Sequence, residues 1–256
     1  MEKLQRLRED FDKHNIDGMM ITNPYNRRYM TGFTGTAGIA LISGSRALFI
    51  TDFRYTEQAE EQCKGFEIIK HTKAIHDEVA HYAKELGISK LGFEQDQLTF
   101  SSYITYRNAV EAELVPVSGV VEKLRLIKTN SEIKILKEAA RIADAAFEHI
   151  LGYIRPGLTE LGVSNELEFF MRKQGAVSSS FDTIVASGHR SALPHGVASG
   201  KVIEAGDFVT LDYGAYYQGY VSDITRTVSV GAPSEELRAI YDIVLEAQLR
   251  GMAGIK

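Results

Sequence analysis

The sequence has very little cysteine: Cys63 is the single one among 256 residues. One cysteine excludes an internal disulfide and a cysteine-cluster metal site, and it fits a reducing compartment. We interpret Cys63 as a core or surface thiol. No run approaches the roughly 18 apolar residues of a membrane span, and the first ten residues are too charged for a signal peptide. We therefore expect a cytoplasmic protein with no membrane partner.

The sequence also has fewer basic than acidic residues. Lys and Arg number 29 against 34 Asp and Glu, which gives a formal net charge of -5 at pH 7. Proteins that bind nucleic acid or anionic membranes carry clustered positive charge, so we expect no nucleic-acid partner. The hydrophobic fraction of 44% and the charged fraction of 25% are those of a globular protein. A chain of this length is typical of about two domains.

The first 120 residues have the pattern of an α/β domain. Leu4, Leu7 and Phe11 recur at helical spacing. Apolar runs at 38–42 and 47–51 flank Ser43-Gly44-Ser45 and predict neighbouring strands. The same criteria predict strands at 18–22 and 90–94, helices at 76–86 and 101–112, and a turn at residues 23–26. Alternating strands and helices indicate a sheet covered by helices.

A boundary between two domains is predicted in the segment 118–130, and we place it after residue 120. Thr129 followed by Glu132 has the pattern of a capping box at the start of a long helix. Thr159 can cap a second helix that ends at Gly175. The first of these helices is predicted to bury one face, formed by Ile133, Leu136, Ala140, Ala143, Phe147 and Ile150.

Two aspartates stand in a predicted hairpin. The β-rich runs 208–216 and 220–230 are separated by Gln218-Gly219. A turn centre near 217.5 places Asp212 directly across from Asp223, with Cβ atoms roughly 5 Å apart. Like charges at this spacing are destabilising unless they are solvated, share a proton or bind a divalent cation. Carboxylate oxygens are hard ligands that suit such a cation.

The surrounding residue types favour the cation. Small hydroxyl and apolar side chains share the strand faces of Asp212 and Asp223, which suits a partly buried site. Among them, Thr225 can donate a hydrogen bond to a ligating carboxylate. His195 lies in a loop that leads towards the hairpin, between Pro194 and Gly196. On its own, this histidine is either a solvated loop residue or a catalytic one.

Taken together, these residues resemble a known family. The run Ser180–Gly231 contains the Pro-His-Gly loop, a step of 17 residues from His195 to Asp212, a step of 11 residues to Asp223, and then Asp-Ile-Thr-Arg-Thr. It resembles the pita-bread metallopeptidases, and within them the Xaa-Pro aminopeptidases and Xaa-Pro dipeptidases (prolidases). The segments Tyr-Met-Thr-Gly-Phe and Thr-Asp-Phe-Arg-Tyr near the start resemble the creatinase-like N-terminal domain.

The resemblance implies a fold and an activity. The fold would be an α/β domain with a creatinase or RNase H-like mixed sheet at residues 1–120, and the first half of an α+β pita-bread domain at residues 121–256. The activity would be metal-dependent hydrolysis of the bond between an N-terminal residue and proline. Asp212 would ligate one metal, Asp223 would bridge two, and His195 would contact the substrate. The implied cofactors are two divalent ions, manganese first, with cobalt or zinc as alternatives, and the implied assembly is a homodimer that acts on proline-containing peptides.

One departure from the family pattern bears on activity. The family completes its metal site with one histidine and two glutamates from the second half of the pita-bread domain, and no such motifs occur in these 256 residues. We expect an incomplete catalytic domain and a chain that is inactive by itself. Two alternatives stay open: an inactive pita-bread module that acts in binding, and a metal-free creatinase-like amidinohydrolase. The paired aspartates argue against the latter.

Overall fold

A computed structural model describes residues 2–255, and the chain divides into two compact units, Met1–Lys128 and Thr129–Lys256. The division lies eight residues after the position predicted from the sequence. The reason is a short helix, Val120–Leu126, that buries Val120, Val121 and Leu124 in the core of the first unit. These apolar contacts hold the basic segment that follows residue 120 to the first unit.

The first unit is a six-stranded mixed sheet covered by helices. The sheet order is β4-β3-β2-β1-β5-β6, with antiparallel pairing of β2 to β1 and β3, and parallel pairing elsewhere. This confirms the predicted α/β class. Its elements are α1 (Glu2–Glu9), β1 (Gly18–Ile21), α2 (Pro24–Thr31), β2 (Ile39–Ser43), β3 (Ala47–Thr51), α3 (Thr56–Gln62), β4 (Glu67–Lys70), α4 (Ile75–Glu85), β5 (Lys90–Glu94), α5 (Phe100–Ala109), β6 (Glu113–Val117) and α6 (Val120–Leu126), with a 3₁₀ turn at Asp12–His14.

The predicted turn at residues 23–26 is instead the start of helix α2. The side chain of Asn23 accepts hydrogen bonds from the amides of Tyr25 and Asn26, and Pro24 occupies the first helical position. Asn and Pro favour turns and helix N-termini by the same properties, a side-chain acceptor and a fixed φ. A turn and a helix start are therefore hard to separate from these residues alone.

Cys63 lies in the core of the first unit, where its side chain packs among apolar residues at the end of α3. Burial raises the pKa of the Cys63 thiol to about 11. A thiol with this pKa is almost entirely protonated at neutral pH and is a poor nucleophile. Of the two expected positions for this thiol, core or surface, the structure shows the core.

The second unit has the α+β arrangement that the family resemblance implied. Two long helices cover small antiparallel sheets of order β11-β10-β7 and β12-β9-β8. The predicted capping box of Thr129 and Glu132 is formed. The elements are α7 (Asn130–Tyr153), α8 (Glu160–Lys173), β7 (Ser178–Ser179), β8 (Ile184–Ser187), a 3₁₀ turn (Gly188–Ala192), β9 (Phe208–Tyr213), β10 (Ala215–Tyr217), β11 (Tyr220–Val221), β12 (Ile224–Ser229) and α9 (Glu235–Gly254).

The buried face of α7 is rotated from the predicted one. Ile133 is 39% exposed, and Leu136 and Phe147 are only partly buried. The apolar positions of α7 that are buried are Ala139, Ile142, Ala143, Ala146 and Ile150. Three of these are alanines, so the helix backbone lies close to the sheet, and Tyr213 of β9 donates a hydrogen bond to the Ala143 carbonyl at 3.0 Å. Close packing therefore selects the alanine-rich face rather than the one with the largest side chains.

Helix α9 differs from α7 and α8 because none of its residues is buried. Its exposed apolar side chains include Ile243, Val244 and Met252. In the described part of the chain, no helix combines the length and the hydropathy needed to cross a membrane.

Candidate active site

The predicted hairpin is present, and its turn sets a register that differs from the predicted one. Gln218 and Gly219 have φ values of 46° and 90°, the positive pair that a type I′ turn requires. Tyr217 therefore pairs with Tyr220, and the turn centre lies at 218.5 rather than 217.5. Farther from the turn, the same register pairs Asp212 with Thr225. The prediction that Asp212 lies directly opposite Asp223 is wrong, because a two-residue turn has its centre between its own two residues.

The corrected register still places both aspartates on one face. Ser222 is buried and Ile224 packs on the core, while Asp223 and Thr225 are exposed. Asp223 therefore projects on the same side as Thr225, two residues away, and lies diagonally across from Asp212. Diagonal positions of an antiparallel pair have Cα atoms about 7–8 Å apart, a distance that two carboxylate side chains can close.

Thr225 contacts the first aspartate directly. Its hydroxyl donates a hydrogen bond to Oδ1 of Asp212 at 2.8 Å. The predicted hydrogen bond from Thr225 to a carboxylate of the hairpin is thus present. The bond restrains the orientation of the Asp212 carboxylate through Oδ1.

A glycine permits the close crossing of strands between the two aspartates. A Cβ atom on Gly214 would lie 1.8 Å from the Ser222 carbonyl oxygen, so no other residue fits there without movement of the backbone. Ser222 accepts a hydrogen bond from the Ala215 amide at its Oγ (2.9 Å), and its carbonyl accepts one from the Ser180 hydroxyl (3.0 Å). This cluster fixes the chain path immediately before Asp223.

His195 lies in an exposed loop at the edge of the same sheet. Val197, two residues later, forms an isolated antiparallel bridge with Ile184, and Ile184 pairs with Asp212. Two strand spacings of about 4.8 Å put Val197 roughly 10 Å from Asp212. Within residues 2–255, His195 makes no side-chain hydrogen bond to either aspartate. The structure thus brings the His195 loop beside the aspartate pair without a direct contact.

The donor set fits part of a divalent metal site. Two carboxylates on a half-open face suit a hard cation such as Mn²⁺ or Mg²⁺. Among the described residues, however, no group of three or more His, Cys, Asp or Glu side chains is arranged to hold a metal ion. Asp212 and Asp223 would supply two carboxylate ligands to such an ion, and water or other groups would fill the remaining positions.

Glu160 is a residue of this region that the sequence analysis did not identify. Its side chain is fully buried at the start of α8, and it accepts hydrogen bonds from the backbone amides of Ser187 (2.7 Å) and Ser199 (3.1 Å), which flank the His195 loop. Burial raises the pKa of Glu160, but hydrogen bonds from Ser199, Ser187 and Arg190 outweigh it, so the pKa falls below its ordinary value. A glutamate in the first turn of a helix is common on exposed surfaces, and this explains why its position gave no signal.

Comparison with known proteins assigns both units to families. Residues 3–127 match the Creatinase/Prolidase N-terminal domain, and residues 134–256 match Metallopeptidase family M24. An uncharacterized peptidase, YqhT of Bacillus subtilis, is 61% identical over 255 residues, which are 99% of this chain and 72% of that protein. An Xaa-Pro dipeptidase of Pyrococcus furiosus is 40% identical over 258 residues and is also covered to 72% of its length.

Solved structures agree with this assignment. An Xaa-Pro dipeptidase from Bacillus anthracis superposes with a TM-score of 0.97 at 71% identity, covering 100% of this chain and 72% of that one. An X-Pro aminopeptidase from Thermotoga maritima superposes with a TM-score of 0.88 at 38% identity, covering 94% and 70%. The predicted fold class, a creatinase-type N-terminal domain followed by a pita-bread catalytic domain, is confirmed. The chain belongs to the metallopeptidases of family M24 that carry a Creatinase/Prolidase N-terminal domain.

Proposed function

We propose that this chain forms part of an Xaa-Pro peptidase, a metal-dependent hydrolase that cleaves the bond between an N-terminal residue and proline. The observation that carries the proposal is the open sheet face on which Asp212, held by Thr225, lies diagonal to Asp223. Relatives described as Xaa-Pro dipeptidases support this substrate class. The X-Pro aminopeptidase of Thermotoga maritima supports a proposal broad enough to include longer peptides.

In the proposed site, Asp212 and Asp223 would hold the divalent ions. When bound, a pair of such ions supplies a hydroxide nucleophile near neutral pH and polarises the scissile carbonyl. The hydrogen bond from Thr225 to Oδ1 restrains the orientation of the Asp212 carboxylate. Manganese is the proposed metal, with cobalt and zinc as alternatives.

His195 is proposed to handle the proton at the leaving group. The amide before proline has no N–H, and its nitrogen must take up a proton when the bond breaks. An exposed histidine in a loop beside the metal-binding face can donate that proton or stabilise the charge that develops on the scissile amide. The other ring nitrogen of His195 is then free to exchange its proton with water.

The 256-residue chain by itself is proposed to bind divalent ions weakly and to lack Xaa-Pro hydrolysis. Two carboxylates leave most coordination positions to water, and the described residues contain no third ligand arranged beside them. This chain would then resemble the alternative of a binding module, while a protein with the further ligands would be the enzyme. No observation supports the metal-free amidinohydrolase.

The proposal is tested with two proteins. The first is the purified chain, and the second is the same chain joined to the part of the Pyrococcus furiosus relative that it does not cover. Incubation with Ala-Pro, Ala-Pro-Ala and Ala-Ala should show Mn²⁺-dependent, chelator-sensitive hydrolysis of the proline peptides by the fusion alone. Cleavage of the tripeptide would identify an aminopeptidase. Equal hydrolysis of Ala-Ala, or activity that survives the chelator, would contradict the proposed function.

Variants of the fusion assign the roles. Asp223→Asn should remove bound metal and activity together, because a shared ligand serves two ions. His195→Ala should lower turnover by about a hundredfold and leave the metal content near normal. Loss of metal in the His195 variant would show that His195 is a metal ligand.

The proposed homodimer is checked separately by sedimentation equilibrium. A monomer mass at assay concentration would exclude the homodimer.

A further inference from the structure

We infer that Glu160 and Arg190 are positioning residues that hold the His195 loop against the metal-binding face. The inference rests on the proposed function for the role of His195, and on the geometry alone for the way in which the loop is held. The loop runs from residue 188 to residue 198, between strand β8 and the segment that precedes β9.

One buried carboxylate joins the two ends of the loop. Oε1 of Glu160 accepts hydrogen bonds from the Ser187 amide at 2.7 Å and from the Ser187 hydroxyl at 2.9 Å. Oε2 accepts them from the Ser199 amide at 3.1 Å and from the Ser199 hydroxyl at 2.6 Å. The loop therefore begins and ends on the same side chain, which is itself fixed in the first turn of α8.

Arg190 extends this connection through the inside of the loop. Its Nε donates to Oε2 of Glu160 at 3.0 Å, and its Nη2 donates to the Val197 carbonyl at 2.8 Å. The Arg190 carbonyl in turn accepts a hydrogen bond from the Leu193 amide. His195 thus lies in a short stretch of chain between Arg190 and Val197, and the guanidinium of Arg190 donates a hydrogen bond across that stretch to the Val197 carbonyl.

The Val197 end of this stretch is attached to the sheet that carries Asp212. Val197 bridges to Ile184, and Ile184 pairs with Asp212. Because Arg190 donates a hydrogen bond to the Val197 carbonyl, it sets the position of the loop relative to the paired residues Ile184 and Asp212. A change at Arg190 would therefore move His195 with respect to the metal ligands, without any contact between Arg190 and those ligands.

The hydrogen bonds of Glu160 also argue against a role confined to its helix. In the described part of the chain, the donors to its carboxylate come from Ser187, Arg190 and Ser199. The first turn of α8 is capped by a different residue, Thr159, whose side chain accepts from the Gly162 amide. The N-terminus of α8 is therefore capped without Glu160. The buried carboxylate of Glu160 accepts its hydrogen bonds from the loop and its ends.

The test compares Arg190→Ala and Arg190→Lys with the matched control Arg172→Ala. Arg172 makes the same kinds of contact in the same unit, an ion pair with Glu168 and a hydrogen bond to the Val177 carbonyl, but it lies outside the loop. The first readout is amide hydrogen exchange at Leu193, Gly196 and Val197, whose amides are hydrogen-bonded within the loop. The second is the set of NMR signals of the His195 imidazole.

We expect Arg190→Ala to raise the exchange rates of these three loop amides at least tenfold and to shift or broaden the His195 signals. Arg190→Lys should restore part of the protection, because an ammonium can reach Glu160 but cannot also form the second bond in the same geometry. Arg172→Ala should leave the loop as in the unmodified chain. Loop exchange within twofold of the unmodified chain in Arg190→Ala would overturn the inference. So would an equal increase across all amides of the second unit, which would show loss of global stability rather than release of the loop.

Failure of this inference is distinguishable from failure of the proposed function. If the loop is released in Arg190→Ala but His195→Ala keeps full turnover in the fusion, the geometry stands and the role of His195 is wrong. If the loop is unaffected and His195→Ala loses turnover, the function stands and the positioning role is wrong.

Discussion

The sheets of the two units differ in how far their two faces are covered by other parts of the unit. In the first unit, strands β1, β2 and β3 are buried at every position, because separate apolar clusters cover both faces. In the second unit, strand β9 alternates: Val209, Leu211 and Tyr213 face the helices, whereas Thr210 and Asp212 face the half-open side. Candidate catalytic chemistry is found where one sheet face is left uncovered, and the fully covered sheet supplies stability.

This contrast predicts where substitutions affect folding and where they affect the site. On the covered side, loss of volume should cost stability. On the open side, the same change should cost little stability and should alter ligand binding.

Gly214→Ala should have the largest effect. The added Cβ would meet the Ser222 carbonyl at 1.8 Å, and that oxygen belongs to the backbone, so the hairpin must shift. We expect a loss of about 3 kcal/mol or more in the free energy of unfolding, beyond the usual range for overpacking. The measurement is urea unfolding followed by circular dichroism. Gly200→Ala is the control, because its Cβ would meet nothing within 4 Å, and an equal loss there would show that the crowding at Gly214 is not the cause.

Neighbouring residues of β9 should separate the two faces. Leu211→Ala removes a fully buried side chain and should cost about 2–5 kcal/mol. Thr210→Ala, one residue away on the open face, should cost less than about 1 kcal/mol. Urea midpoints of the two variants measure the difference. Similar losses for both would mean that the open face is covered in solution.

The buried carboxylate of Glu160 should make the second unit sensitive to acid. Its pKa is lowered below the ordinary value of 4.5 in the folded chain, so its stabilising contribution is complete above that value and is lost as the pH falls through the lowered pKa. Ser199→Ala removes one hydrogen bond to this charge and should cost about 1.5–3 kcal/mol at pH 7. At a pH below the folded-state pKa of Glu160, located by NMR titration of its carboxyl group, the difference between the two proteins should be smaller. The same difference at both pH values would show that Glu160 does not carry the effect.

Thr225→Val should weaken metal binding with little effect on folding. The variant loses the hydrogen bond to Oδ1 of Asp212, and loss of such an orienting contact lowers metal affinity by about tenfold. Electron paramagnetic resonance of free Mn²⁺ measures the affinity. Thr227→Val is the matched control, because the Thr227 hydroxyl faces Thr210 rather than an aspartate. Equal affinities for the two variants would remove Thr225 from the site.

The sequence was sufficient for local features that depend on residues close together in the chain. The capping box of Thr129 and Glu132 and the hairpin turn at Gln218-Gly219 were predicted, and so was a hydrogen bond from Thr225 to a carboxylate of the hairpin, without Asp212 being named as its partner. Each follows from spacing within one helix end or one hairpin. Family resemblance extended this to the fold of both units.

Other features depend on tertiary contacts, which spacing does not show. The buried face of α7 follows from how closely its alanines let the helix approach the sheet. The turn centre lies one residue later than predicted. Because of this shift, Thr225 rather than Asp223 pairs with Asp212. Glu160 acts through residues 27 to 39 positions away in the chain, so no local pattern could reveal it.

The central claim is that Asp212 and Asp223 form one cation site on the open face of the sheet. The direct measurement is Mn²⁺ binding to the purified 256-residue chain by electron paramagnetic resonance, compared with Asp212→Asn, Asp223→Asn and the control Asp242→Asn in α9. We predict weak binding, with Kd on the order of 10⁻⁴ M or higher, reduced at least tenfold by either site variant and unchanged in the control. Binding that survives in both site variants, or falls equally in the control, would contradict the account.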